Sequence, residues 1–214
     1  MALPLPLRNR LAELILDALH DPAAREGLAA LAAVGADPHA LDGRPVPERF
    51  PADLFERGSG GLAARRGFAA HARELGARAR RGWAVVHPRA LAAAPPTRAE
   101  ALDAAGALFD AGLFFEVHEL LEPHWFRATG PEREALQGLI QVAVGFQHLV
   151  NGNRRGGFAL LHEGAAKVAA GRLGGLPLDD FAARVRARGE ALAERETDAG
   201  EDALDAPPFP KAAA

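Results

Sequence analysis

The 214-residue chain contains no cysteine and no tyrosine. The first absence excludes disulfides, thiolate metal sites and thiol nucleophiles. Ser59 is the only serine, and the threonines are Thr97, Thr129 and Thr197, so nucleophilic hydroxyl catalysis has almost nothing to work with. Lysine occurs only at 167 and 211, while arginine and alanine abound, a balance that reads as GC-rich codon bias more than as function. No stretch approaches the roughly 18 uninterrupted apolar residues of a membrane-spanning helix. Met1 to Arg10 lacks the basic start and apolar run of a signal peptide. A formal charge of -3 gives no whole-chain attraction for nucleic acid or an anionic membrane. These absences predict a soluble, cytoplasmic protein with no membrane partner, and they argue against nucleic acid; a homo-oligomer stays open.

What is present is helical periodicity with clear punctuation. Leu11, Leu14, Ile15 and Leu19 recur at helical spacing, and Asp21-Pro22 reads as a cap and first-turn proline opening a second helix to about Val34. Gly35, Pro38, Gly43, Pro45, Pro47 and Pro51 mark a loop. After Gly58-Ser59-Gly60-Gly61 the spacing predicts a helix from about Leu62 to Arg81, followed by Trp83 to Pro88 as packed coil. Pro95-Pro96 sets a boundary at 95/96, and Thr97-x-x-Glu100 is a capping box for the next helix, which stops at Gly112. Further helices are expected over about 113–127, 131–150, 154–173 and 179–196. The acidic, proline-rich stretch after them reads as disordered.

The fold class is therefore all-α: a compact, bundle-like helical domain at 96–197, an N-terminal helical extension at 1–95 and a disordered tail at 198–214.

Chemistry-bearing residues cluster in the 113–127 helix. Offsets of four and seven put His118, Glu122 and Trp125 on one face, with Phe114, Phe115, Leu121 and Phe126 flanking, while Glu116 and Glu119 are expected to lie outside it. A carboxylate in apolar surroundings must be paired, hydrogen-bonded, metal-bound or protonated. The 131–150 helix offers a stripe of Gln137, Gln141 and His148. That stripe either faces His118 and Glu122 or forms the solvent edge of its own helix; periodicity allows both.

His118-x-x-x-Glu122-x-x-Trp125 is preceded by Phe109 to Val117 in the order FDAGLFFEV and followed by Gln137-Gly138-Leu139-Ile140-Gln141 and His148-x-x-x-Gly152-Asn153. Over roughly residues 97–175 this resembles the prokaryotic domain-of-unknown-function family 309, whose hallmark is an HxxxExxW pattern on a helical domain. The resemblance implies a helical fold and brings no established activity. Pro123 departs from the pattern inside the motif helix and is expected to kink it.

Three readings follow. In the sharpest, His118, Glu122 and His148 hold a divalent metal such as zinc or iron with an open position, and Gln141 or Glu119 orients a ligand or water for hydrolysis. In the second, His118, Glu122 and Gln141 form a metal-free acid–base pocket for a small polar ligand, with Trp125, Gln137, Glu119 and Asn153 as binding residues. In the third, the polar groups only fix helix register and the domain is a non-catalytic interaction module. A nucleic-acid partner would use Arg65, Arg66, Arg73 and Arg80, with Arg81 nearby. Glu74 and the lack of interleaved aromatics favour a solvated face there.

Overall fold

The computed structural model describes residues 3–194 and 205–211. Among them are eight α-helices: α1 (Leu5–Asp17), α2 (Pro22–Val34), α3 (Ala72–Val86), α4 (Arg98–Asp110), α5 (Phe114–Arg127), α6 (Gly130–Val150), α7 (Arg154–Ala170) and α8 (Leu178–Ala193). One small hairpin, β1 (Phe55–Gly58) with β2 (Gly61–Ala64), is the exception to an all-α architecture. The chain forms two compact units, Met1–Thr97 and Arg98–Ala214.

In the first unit α1 buries Leu7, Leu11 and Ile15, the apolar stripe visible in its sequence. Asp21 caps α2, its Oδ1 accepting the Ala23 N–H at 2.9 Å, which satisfies one of the free donors at a helix start. The helix expected over 62–81 is corrected: the glycines at 58, 60 and 61 make a hairpin, with Gly58 paired to Gly61 and a two-residue Ser59-Gly60 turn. Gly61 has φ +89°, and a Cβ there would stand 2.5 Å from the Pro38 carbonyl oxygen. Leu62 N–H donates to that same oxygen at 2.8 Å. The helix proper starts ten residues later, at Ala72.

Trp83 to Val86 is likewise corrected, from packed coil to the last turn of α3. Leu75, Ala79, Gly82 and Val86 form one buried stripe at spacings of three and four, so the apolar run continues the helix's own inner face. The arginines do not share one helix. Arg65 and Arg66 precede α3, Arg80 donates to the Gly35 carbonyl, and Arg81 pairs with Glu74 at 3.4 Å.

The second unit follows its punctuation closely. α4 ends in a Schellman arrangement: Gly112 has φ +71°, its N–H donates to Phe109 O at 2.9 Å, and Leu113 N–H reaches Leu108 O at 2.8 Å. Phe109, Phe146 and Phe181 meet edge to face at 5.8 and 5.9 Å between ring centroids, joining α4, α6 and α8.

α6 and α7 approach through glycines seven residues apart on each helix. A Cβ on Gly138 would lie 2.6 Å from Val168 N, one on Gly145 2.9 Å from a Leu161 methyl, one on Gly157 3.0 Å from Gly145 O, and one on Gly164 2.9 Å from Gly138 O. A side chain at Gly138 or Gly164 meets backbone and forces the helices apart, while one at Gly145 or Gly157 first displaces Leu161 or Leu149.

The expected disordered tail needs correction where it is described. Residues 198–204 and 212–214 lie outside the described residues, but Phe209 is 3 % exposed and its ring sits 5.6 Å from Phe109 and 5.9 Å from Phe181. A lone phenylalanine among prolines carries enough apolar surface to dock. The composition of the whole segment hides that.

Candidate functional site

The inward face of α5 is Leu113, Phe114, Val117, Leu120 and Leu121. At 100° per residue His118 and Trp125 fall on one margin of that arc and Glu122 beyond it. All three are accordingly half-buried, and Glu119 is exposed. Glu116 falls on the opposite margin, beside Leu120, and is fully enclosed and engaged. The expectation that Glu116 lies outside is therefore wrong. Its offsets of three from Leu113 and four from Leu120, both buried, are the signal that finds it.

His118 is met on both sides by carboxylates of its own helix. Its Nδ1 is 3.1 Å from Glu119 Oε1 and its Nε2 is 3.6 Å from Glu122 Oε1. The side chains remain 27 %, 41 % and 40 % exposed in the order His118, Glu119, Glu122. The imidazole thus lies at the surface between two acceptors, with the Phe115 ring 6.1 Å from its own.

Pro123 sits inside α5 without ending it. It has no N–H to offer the carbonyl of Glu119, four residues back. Beyond it the Trp125 ring is covered by the Arg133 guanidinium at 4.3 Å, and that arginine also donates to Trp125 O at 2.8 Å. Trp125 therefore ties the end of α5 to the start of α6. Its indole N–H is buried with no protein partner. Nearby, burial first and then Arg127 and Arg98 hold the His124 imidazole below its ordinary pKa.

The stripe on α6 is half-buried at Gln137, Gln141 and His148. Gln141 turns to α7: its Cβ is the neighbour that a Cβ on Gly164 would meet at 3.0 Å, and its amide bonds the Glu163 carboxylate. That bond, with Lys167 one turn on at 3.0 Å, lowers the Glu163 pKa. Gln141 Oε1 is buried without a protein partner.

His148 Nδ1 lies 2.6 Å from Asn153 Nδ2 at the α6–α7 turn. Asn153 is in turn the N-cap of α7, its Oδ1 accepting the Gly156 N–H at 3.0 Å, so the amide is oriented with its NH2 toward the imidazole. The structure brings together His118, Glu119 and Glu122; it engages Gln141 with α7 and pairs His148 with Asn153. Among the described residues no three histidine, aspartate or glutamate side chains are grouped so as to hold a metal ion. Gln141 therefore lies at the edge of α6 beside α7, next to the seam that Gly138 and Gly145 form, and His148 at the α6–α7 turn.

Residues 102–160 match the model of a family described as a domain of unknown function, DUF309. The resemblance read over residues 97–175 is borne out over that segment, which spans α5, α6 and parts of α4 and α7. No curated protein and no solved structure matches the chain. No helix among the described residues is long and apolar enough to cross a membrane.

Proposed function

We propose that the helical unit binds a small polar ligand at the margin of α5, with His118, Glu119 and Glu122 as the contacting groups. The observation that carries this is the half-exposed imidazole between two carboxylates at 3.1 and 3.6 Å. The imidazole keeps solvent-facing surface and has a carboxylate oxygen near each ring nitrogen. Ionised carboxylates only accept hydrogen bonds, so the fitting ligand brings donors or positive charge, such as an amine. An imidazole beside carboxylates is also equipped to pass a proton, which is the basis for a hydrolytic form of the reading.

A divalent metal is the competing occupant. His118 and Glu122 supply two ligands, but among the described residues His148 is not grouped with them so as to complete a three-ligand metal site. The polar-ligand form is therefore preferred.

Thermal shift of the purified chain with zinc chloride and with a panel of small amines separates these. The polar-ligand reading predicts a saturable rise in Tm with an amine that is lost in His118→Ala and in Glu122→Gln. Stoichiometric metal in the purified protein, lost in both His118→Ala and His148→Ala, would replace it with the metal reading.

One observation favours a non-catalytic interaction module as the second reading. Phe126, next to Trp125, is 64 % exposed, with ring centroids 4.9 Å apart, and an exposed aromatic of this kind suits a protein partner. Phe126→Ser would weaken such an association and leave ligand-induced Tm shifts unchanged.

A further inference from the structure

The segment Asp205–Lys211 has three prolines in seven residues, at 207, 208 and 210, and so lacks three of its backbone donors. Among the described residues no main-chain to main-chain hydrogen bond ties it to the helices. It is held instead as a peptide ligand is held. The Phe209 ring lies over Gly106 of α4, where a Cβ would come within 3.1 Å of it, and packs on Phe109 and Phe181. The Phe209 N–H donates to Asp110 Oδ1 at 2.8 Å, and Lys211 Nζ reaches Asp110 Oδ2 at 3.3 Å. Pro207 and Pro210 are buried on either side.

One carboxylate therefore reads a main-chain N–H and a cation two residues further on, beside a glycine-floored aromatic slot. Proline-rich segments dock on aromatic-lined grooves in this way because their extended form is set before binding. A cavity of about 360 Å3 continues the groove past the ring, lined by Leu102, Asp103, Gly106, Leu176, Pro210 and Lys211.

We propose that this groove on α4 and α8 is a recognition site for a proline-flanked phenylalanine followed two residues later by lysine, that residues 205–211 are its resident ligand, and that its partner in trans is the same segment of a second copy of this chain. The attachments are one ring with a buried proline on either side, one N–H and two ion pairs at the exposed ends, Lys211–Asp110 with its lysine 72 % exposed and Arg188–Asp205 at 4.0 Å with its aspartate 85 % exposed. Such a segment opens locally without the helices unfolding. Tethering keeps the resident segment at high effective concentration, so an added peptide competes poorly until the resident ring is removed.

The test uses a fluorescein-labelled peptide of the sequence Asp205–Lys211 and the full chain, read by fluorescence anisotropy. The peptide is expected to bind Phe209→Ala saturably, to bind the unaltered chain at least tenfold more weakly, and to lose at least tenfold in affinity when Asp110→Asn is added to Phe209→Ala. A Phe209→Ala chain that melts cooperatively yet takes up no peptide at millimolar concentration overturns the proposal, as does equal binding of a peptide whose phenylalanine is replaced by alanine. Should Phe209→Ala fail to fold, amide exchange in the unaltered chain decides. Exchange of the Phe209 N–H at least a hundredfold faster than the amides at the centre of α6 is the expected result; exchange at the global unfolding rate overturns it.

Discussion

The α6–α7 seam and the α5 margin lie within one compact unit and are built to opposite ends. At the seam, four glycines leave no room for a methyl group, and the two helices meet backbone to backbone. At the margin, a histidine and two glutamates stand half in solvent, touching mainly one another. The first arrangement fixes geometry and offers no chemistry. The second offers chemistry and contributes little to stability, because ion pairs this exposed are worth about 0–1 kcal/mol. Binding groups are commonly drawn from the weakly coupled end of a scaffold, on a frame that does not move.

Substitution at the seam should have the largest effect. Gly→Ala inside a helix ordinarily gains about 1 kcal/mol, but in Gly138→Ala the added carbon meets Val168 N at 2.6 Å. A net loss of about 1–3 kcal/mol, the usual cost of overpacking, should appear in urea denaturation, and Gly164→Ala should behave alike. A neutral or stabilising result at either position would dissolve the contrast between the two regions. Next in size is Arg133→Ala, which uncovers the Trp125 face and removes its bond to the end of α5. A loss of about 1 kcal/mol is expected.

A smaller effect belongs to Gln141, at the edge of the seam. The bond from Gln141, then Lys167, lowers the Glu163 pKa. A carboxylate lowered on folding adds stability that is present above its unfolded pKa and lost as pH falls through the folded one. Gln141→Leu should move the Glu163 titration up toward the ordinary carboxylate value, read by carboxyl carbon NMR. An unmoved titration would mean that Gln141 does not engage α7. His124 carries the same sign by a different route. Its imidazole is lowered by burial, so the stability it adds is full above the ordinary histidine pKa and declines as pH drops below it.

The smallest stability change belongs to His118→Ala, within about 0.5 kcal/mol. That near-silence is what separates a binding group from a packing group.

How far the sequence carried differs between these same regions. Helix limits in the second unit were legible because each break has a chemical marker: Gly112 supplies a left-handed residue, Thr129-Gly130-Pro131 and Asn151-Gly152-Asn153 the turns. The 58–61 glycines were read as a break but not as a hairpin, since the partner of β2 lies only six residues upstream in a stretch with no clean alternation. His118 and Glu122 were read correctly as neighbours, because one turn of helix guarantees it. Their burial was overestimated, since the flanking phenylalanines at 115 and 126 are themselves not on the inward face.

The place of Gln141 and His148 could not be read. It depends on which face of α6 turns to α7, and that is decided by Gly138 and Gly145, residues that carry no hydrophobic signal at all. Glu116 and Phe209 were missed for a related reason: each is a minority residue whose surroundings, not its type, bury it.

Whether the α5 cluster is a site or a brace is tested most directly by a ligand-dependent melt of the unaltered chain beside His118→Ala. The expected result is two proteins with the same Tm in buffer, of which only the unaltered one rises with a small amine in a saturable way. If His118→Ala instead melts several degrees lower on its own and no amine shifts either protein, the histidine is structural and the proposed function is wrong.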